Sequence, residues 1–221
     1  MIPSCQALPF DPACRACPRL VGHRECVGER FPDYHAAPVP AFGPADAALV
    51  IVGLAPGMHG ANATGRPFTG DHAGIMLYRT LFELGLSNAP CSRAPGDGLE
   101  LHGCRITNAV KCLPPDNRPT TAEIRTCNGF LAAEIAQHPP RVIVALGRIA
   151  HDAVLRALGL RLASHRFAHG QAHDVAPSLT LFDSYHCSRY NTQTGRLTEA
   201  MFREVIAQAA ALSQEQVPRG T

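Results

Sequence analysis

Two stretches of this chain are most comfortable as strands buried on both faces. Ala47-Ala48-Leu49-Val50-Ile51-Val52-Gly53 and Arg141-Val142-Ile143-Val144-Ala145-Leu146-Gly147 run apolar without alternation and stop at a glycine. Continuous runs of this kind mark central strands of a parallel sheet, which helices cover on both sides. Two shorter stretches join them, Arg105-Ile106-Thr107-Asn108-Ala109-Val110 and Leu179-Thr180-Leu181-Phe182-Asp183-Ser184-Tyr185. Helical patterns lie between and after them. One covers 72–86, with Met76, Leu77, Leu81, Phe82 and Leu84 on its apolar face. Another runs from the capping box Thr120-Thr121-Ala122-Glu123 to about His138. Two more cover 148–158 and 197–212. This alternation predicts an α/β fold, a three-layer α/β/α sandwich around a central four-stranded parallel sheet. The 221 residues suit one domain spanning 1–221, in which residues 1–45, without sustained periodicity, wrap on as an N-terminal segment.

Several function classes are disfavoured. Hydrophobic residues make up 46% and charged residues 17%, a globular rather than a disordered composition. No apolar run approaches the roughly 20 residues that span a bilayer, so no membrane partner is expected. Met1-Ile2-Pro3-Ser4-Cys5 lacks the basic and apolar regions of a signal peptide, and a cytoplasmic location is the expectation. The polar tail Gln216-Val217-Pro218-Arg219-Gly220-Thr221 carries no argument. The formal charge of +2 does not announce a nucleic-acid binder. Arginine supplies every basic residue except Lys111, which suits bidentate phosphate contacts but equally reflects a GC-rich genome.

The chain has 9 cysteines, an odd number at uneven spacing, which argues against a disulfide framework and for metal binding. Cys14-Arg15-Ala16-Cys17 is a C-x2-C pair; Cys112 and Cys127 make a second pair far away in sequence. A centre held by both would clip the N-terminal segment onto the domain. Four thiolates fit either a [4Fe–4S] cluster or structural zinc, and spacing does not choose. Cys5, Cys26, Cys91, Cys104 and Cys187 are then spare, with Cys26 the strongest rival ligand. The bland alternative is that these cysteines are small buried hydrophobes.

Ligands of parallel α/β folds bind beyond the carboxyl ends of the strands, so the loops there carry the chemistry. The first, Gly53-Leu54-Ala55-Pro56-Gly57-Met58-His59-Gly60-Ala61-Asn62, lets backbone approach a ligand but is neither a P-loop nor a dinucleotide fingerprint. Farther on, Phe68 stands among small and polar residues, as a stacking platform for a base or as a staple onto the next helix. Asp71 opens that helix as an N-cap, and could also polarise a water or stabilise a cation. The Asn108 amide offers a donor and an acceptor together, matching the O4 and N3–H edge of uracil; a turn-forming role is the plain alternative. His186 ends the last strand and is followed by small polar residues, a place for a hydrogen-bond donor to a leaving-group oxygen or, equally, for a capping histidine.

Taken in order, these segments resemble the uracil-DNA glycosylase superfamily, in particular its type 5 iron–sulfur branch. The resemblance covers nearly the whole chain. It rests on Gly53-Leu54-Ala55-Pro56-Gly57 with Phe68-Thr69-Gly70-Asp71, on Asn108-Ala109-Val110-Lys111-Cys112 with Pro114-Pro115, and on His186-Cys187-Ser188 through Thr194-Gly195-Arg196-Leu197-Thr198. It implies that a deaminated base is flipped out of DNA and its N-glycosidic bond hydrolysed. Phe68 would stack on the base, Asn108 read its edge, His186 stabilise the leaving oxyanion, and Asp71 orient water or offset oxocarbenium charge. Gly53, Leu54, Ala55, Pro56, Gly57, His59 and Asn62 would complete the pocket. Ser188, Arg189, Tyr190, Asn191 and Arg196 would face the DNA. Cys14, Cys17, Cys112 and Cys127 would hold a [4Fe–4S] cluster.

Two departures stand out. The type 4 relatives carry Glu after the first glycine, where this chain has Leu54, which shifts the load to Asp71 and implies hypoxanthine and xanthine as further substrates. The usual His-Pro-Ser reads His186-Cys187-Ser188 here, which loosens the turn that poses His186. A monomeric, bacterial, nucleoid-associated repair enzyme is the expectation. The rivals are an iron–sulfur electron-transfer protein, which would leave Phe68, Asn108 and His186 unexplained, and a non-catalytic nucleic-acid-binding module, for which the low net charge is unfavourable. A zinc-stapled esterase is a third, but the Gly-x-Ser-x-Gly elbow is missing.

Overall fold

A computed structural model describes residues 9–215 of the chain; Cys5, the opening five residues and the polar tail discussed above lie outside them. In chain order the elements are α1 (Pro18–Arg30), β1 (Leu49–Gly53), α2 (Ala61–Thr64), α3 (His72–Glu83), β2 (Cys104–Asn108), α4 (Thr121–Gln137), β3 (Val142–Leu146), α5 (Arg148–Ala157), β4 (Ala172–Ala176), β5 (Leu179–Ser184), α6 (Arg189–Gln193) and α7 (Glu199–Gln214).

The sheet has five strands in the order β2-β1-β3-β5-β4. β2, β1, β3 and β5 pair parallel, as the apolar runs predict. Because side chains alternate across a strand, each run feeds two cores. Leu49 and Ile51 pack with Leu77, Leu81, Phe202 and Ile206 of α3 and α7. Val50 and Val52 pack with Ile124, Leu131, Ala150 and Val154 of α4 and α5. Helices therefore cover both faces, completing the three layers. The capping box on α4 forms as read: Thr120 Oγ1 accepts from the Glu123 N–H at 3.2 Å, and Glu123 accepts from the Thr120 N–H at 2.7 Å.

The expectation of four strands is short by one. β4 pairs antiparallel with β5 at the sheet edge. Its sequence, Ala172-His173-Asp174-Val175-Ala176, is mostly exposed and has no apolar run, so the pattern of a doubly buried strand could not disclose it. The N-terminal segment, which shows no sustained periodicity in sequence, nevertheless contains α1, a helix of 13 residues. Pro18 at its start has the φ a first turn requires. Its buried face carries Arg24 beside Leu20, Val21 and Val27, and that charge hides the helical period. At the other sheet edge, Phe42 and Ile106 exchange backbone hydrogen bonds of 2.8 Å, which covers the open side of β2.

Candidate active site

Four of the loops predicted to carry chemistry meet at the carboxyl edge of the sheet. They enclose a cavity of about 490 Å³. Leu54, Ala55, Gly57, Phe68, Asp71, Asn108, His186, Ser188 and Arg189 all line it. Gly53 lies directly beneath. It pairs in register with Asn108, and a Cβ placed on it would lie 2.7 Å from Phe68 Cζ and nearer still to the Asn108 side-chain oxygen. Phe68 and Asn108 therefore converge on a spot that only a glycine leaves free. We expect Gly53→Ala to push both groups apart, lowering any reaction in this cavity by tenfold or more. The check is a single-turnover rate measured beside a near-native circular dichroism spectrum.

Phe68 is buried and holds φ at +55°, a left-handed backbone that costs an aromatic residue about 1–3 kcal/mol. Its neighbours enforce it. Tyr78 donates its hydroxyl hydrogen to the Pro67 carbonyl at 2.7 Å, and the Thr69 hydroxyl meets Ser92 Oγ at 2.6 Å. Its ring lies 5.9 Å from that of His186, with an interplanar angle of 25°. Such enforced strain at a pocket wall fits a platform whose pose matters.

Asp71 caps α3 by accepting the Gly74 N–H at 2.8 Å through Oδ1. Oδ2 faces the Gly57–Gly60 turn, where a Cβ on Gly60 would stand 2.8 Å away. One carboxylate oxygen thus caps the helix, and the side chain also lines the cavity. Burial pushes its pKa up from the usual 3.8, against the pull of the Gly74 and Ala73 amides. His186 follows β5, with its Cβ 3.5 Å from the Cβ position of Gly147. Burial pushes its imidazole down from 6.5 to about 4, so the ring is neutral at pH 7 and has one N–H to donate. Asn191 donates to the His186 carbonyl at 2.8 Å and Ser188 caps α6, so both hold the His186 turn from inside. Cys187, where proline is usual, is wholly buried in the α3/α7 core and fills that turn.

Three predicted pocket residues stand elsewhere. Pro56 is buried outside the lining. His59 is exposed, with its Nδ1 2.7 Å from the Tyr34 hydroxyl and its ring edge against Phe31. Asn62 is wholly buried in α2, and its amide has no partner among the described residues. The lining also includes residues that were not read from the sequence, among them His72, Asn117, Arg148 and Ile149. His72 reaches across to Thr192 Oγ1 at 3.0 Å, tying α3 to α6. Asn117 sits at φ +55° in the turn after Pro114-Pro115, a left-handed position that Pro-Pro-Asp-Asn turn chemistry signals. Ile149 is 40% exposed and Tyr190 71%, and arginines 148, 189 and 196 are exposed near them. Arg196 lies over the Tyr185 ring at 4.5 Å. The rim is therefore basic and carries apolar tips, although the chain as a whole is nearly neutral.

On the α4 side, Cys14, Cys17, Cys112 and Cys127 line a second, small cavity of about 20 Å³ with Leu20, Val21, Lys111 and Phe130. Four thiols around one cavity are a ligand set that suits a [4Fe–4S] cluster and a structural zinc alike. Arg24, buried, donates to Cys112 Sγ at 3.3 Å and to the Cys14 carbonyl at 2.9 Å, and the Lys111 N–H points to Cys127 Sγ at 3.2 Å. Burial raises the Cys17 and Cys112 thiols and pushes Cys127 to about 12, so thiolates here need a metal's charge. Cys26 and Cys91 are exposed and outside this cavity, and Cys104 is buried as the first residue of β2.

Comparison with known proteins matches this arrangement to one family. The model of the uracil DNA glycosylase superfamily matches residues 40–210. A type-5 uracil-DNA glycosylase of Thermus thermophilus is 51% identical over 207 residues, covering 91% of this chain and 94% of its own. The type-5 enzyme of Pyrobaculum aerophilum is 45% identical, covering 90% and 88%. That of Mycobacterium leprae is also 45% identical, covering 90% and 91%.

Proposed function

The chain belongs to the uracil-DNA glycosylase superfamily, and from that premise we infer that its pocket excises uracil from DNA and leaves an abasic site. The observation that carries this reading is the convergence of Phe68, Asn108, Asp71 and His186 on one cavity at the sheet's carboxyl edge. A base flipped into the cavity stacks on Phe68. The Asn108 amide accepts from N3–H and donates to O4. As the C1′–N1 bond breaks, its electron pair moves onto the base, and negative charge grows on O2. The neutral His186 N–H meets that charge with a hydrogen bond that strengthens toward the transition state. Asp71 stabilises the oxocarbenium sugar and orients the water whose oxygen bonds C1′; the carboxylate accepts the water's proton. The amide of Asn117 is available to the same water.

A cavity of about 490 Å³ is of the size that holds whole small ligands, so volume does not restrict it to a single-ring base. With Leu54 in place of an acid, hypoxanthine and xanthine are proposed as further substrates. Tyr190, Ile149 and the rim arginines are the groups that meet the duplex, Tyr190 as the wedge. Cys14, Cys17, Cys112 and Cys127 hold a [4Fe–4S] cluster whose contribution is structural. The protein is proposed to act as a monomer on nucleoid DNA, within one domain. Among the described residues, no helix is long and apolar enough to cross a membrane.

The test incubates the protein with duplexes bearing uracil, hypoxanthine or xanthine and reveals abasic sites with alkali. Cleavage at uracil is expected; no cleavage at any of the three would overturn the reading. His186→Ala is expected to lower uracil excision by about 10²–10³, the usual loss for one oxyanion donor. Because the wild-type ring titrates near 4 rather than 6.5, kcat should show no break near pH 6.5. The unfolded chain binds the extra proton between those values, so the fold loses stability as pH falls from 6.5 toward 4. In His186→Ala that loss of Tm should shrink, a second readout independent of catalysis.

A further inference from the structure

On the far side of β5, three ligating side chains converge away from both sites above. Asp183 is wholly buried, His151 on α5 is 1% exposed, and His173 comes from β4, which the sequence did not disclose. Their ligand atoms all lie within 4.8 Å of one another. Asp183 Oδ1 is 2.7 Å from His151 Nδ1, and Oδ2 is 3.0 Å from His173 Nε2.

The other side of the His151 ring decides what this cluster needs. His151 Nε2 lies 3.0 Å from the His165 carbonyl, which can only accept, so the ring proton sits on Nε2. If Nδ1 is protonated as well, the ring is an imidazolium paired with Asp183; if it is not, the Nδ1 lone pair is aimed at a carboxylate. Two acceptors in contact in a buried site repel unless a cation lies between them. The arrangement also supplies an outer shell: metal-bound imidazoles ordinarily donate their second N–H to a carbonyl or carboxylate, as His151 does here. The Ala168 N–H donates to Asp183 Oδ2 at 3.1 Å, steadying the carboxylate.

We propose that His151, His173 and Asp183 form a binding site for a first-row divalent metal ion of the zinc class, separate from the cysteine cavity. Two imidazole nitrogens and a carboxylate oxygen are a donor set such ions favour. Ligands on a tetrahedral ion with bonds of about 2.0–2.1 Å stand about 3.3–3.4 Å apart, so the groups spread by roughly half an ångström on binding. The ion bridges α5, β4 and β5, and pins the strap that carries Phe167 and Ala168. That strap borders a cavity of about 470 Å³, which shares Gly147, Arg148 and His186 with the base pocket. Binding there steadies the wall beside His186.

The test uses the full chain with its iron content verified, stripped of loose metal by a chelator. ZnCl2 is titrated calorimetrically, and CoCl2 is followed by visible absorption. One zinc per chain is expected, with a rise in Tm. The cobalt spectrum should show nitrogen and oxygen ligation without sulfur-to-cobalt charge transfer. His173→Ala, at the less buried corner, should weaken zinc binding by more than about 100-fold, since loss of outer-shell partners alone costs 10–100-fold. Its iron content should not change. Unchanged affinity in His173→Ala, or thiolate charge transfer in the wild-type cobalt spectrum, would overturn the proposal. So would no zinc uptake, in which case the cation between His151 and Asp183 is a proton.

Discussion

Asp71→Asn should lower the rate of uracil excision by about 10²–10⁴, the span general-base catalysis ordinarily covers, while the protein melts no lower than the wild type. The two halves of this expectation have separate causes. Asn is as good an N-cap as Asp, so the bond from the Gly74 N–H survives. The charge does not survive, and with it go the attraction for an oxocarbenium sugar and the acceptor for the water's proton. Stability should hold or rise. Burial raises the Asp71 pKa above 3.8, so the folded chain binds this proton more tightly than the unfolded one. Ionised Asp71 therefore costs stability, and that cost grows as pH rises through the window between the two values. Removing the charge removes the cost, as happens at sites where function is held against stability. Asp71→Ala separates the roles from the other side, because it loses the cap as well and should cost about 1 kcal/mol. The measurements are single-turnover excision and thermal melting across pH 4 to 8. The acid limb of the wild-type rate, displaced upward from an ordinary carboxylate, should vanish in Asp71→Asn. An unchanged rate in Asp71→Asn would reduce Asp71 to a cap.

The contrast between Asp71 and His59 shows what sequence does and does not disclose. That Asp71, Asn108 and His186 come together at one cavity was legible because each lies at the end of a feature with its own physical signature, a capped helix or an apolar strand. Buried strands β1 and β3 announce themselves, and their ends fix where loops must meet. His59 belongs to the same loop as Gly57, yet it points out to Tyr34. Loop membership fixes proximity in sequence and says nothing about side-chain direction. Ile149 was hidden differently. It fits the apolar spacing of a helix, and only its 40% exposure next to Gly147 reveals it as a rim group. β2 ends at Asn108 rather than Val110; beyond it the Ala109 and Val110 amides donate to the Gly53 and Leu54 carbonyls at 2.9 Å. That turn locks the two loops together. β4 and the His151–His173–Asp183 cluster were out of reach, since half-exposed polar edge strands have no period to read.

With the proposed [4Fe–4S] assignment, Cys127→Ser should bind less iron and loosen α1, while leaving the sheet intact. Cys127 sits on α4 and faces Cys17, Cys112 and Cys14 across the small cavity. Serine keeps the size but not the thiolate, and a four-thiolate centre with three ligands binds metal poorly. Binding free energy at such centres is folding free energy, on the order of 10 kcal/mol for structural metal sites. Apart from that centre, α1 is held by its buried Leu20, Val21 and Val27. Leu20 reaches the α4/α5 core, and Arg19 pairs with Glu123 at 2.7 Å, but Arg19 is 43% exposed, and such pairs contribute about 1 kcal/mol or less. Arg24 would lose the charged sulfur it faces and remain a buried cation, a further cost. Downstream, the segment is fastened independently, by the Val39 N–H to the Lys111 carbonyl at 2.7 Å and by the Phe42–Ile106 bridge. The loss should therefore be local. Hydrogen exchange should accelerate across Pro18–Arg30 and stay slow in Leu49–Gly53 and Val142–Leu146. The colour should bleach and iron per chain fall severalfold. Excision should fall through the strand–loop connection, since Cys112 follows Asn108 closely on the same loop. Cys26→Ser, on the exposed face of α1, should change none of these. Full iron content in Cys127→Ser, or loss of iron in Cys26→Ser, would reassign the ligands.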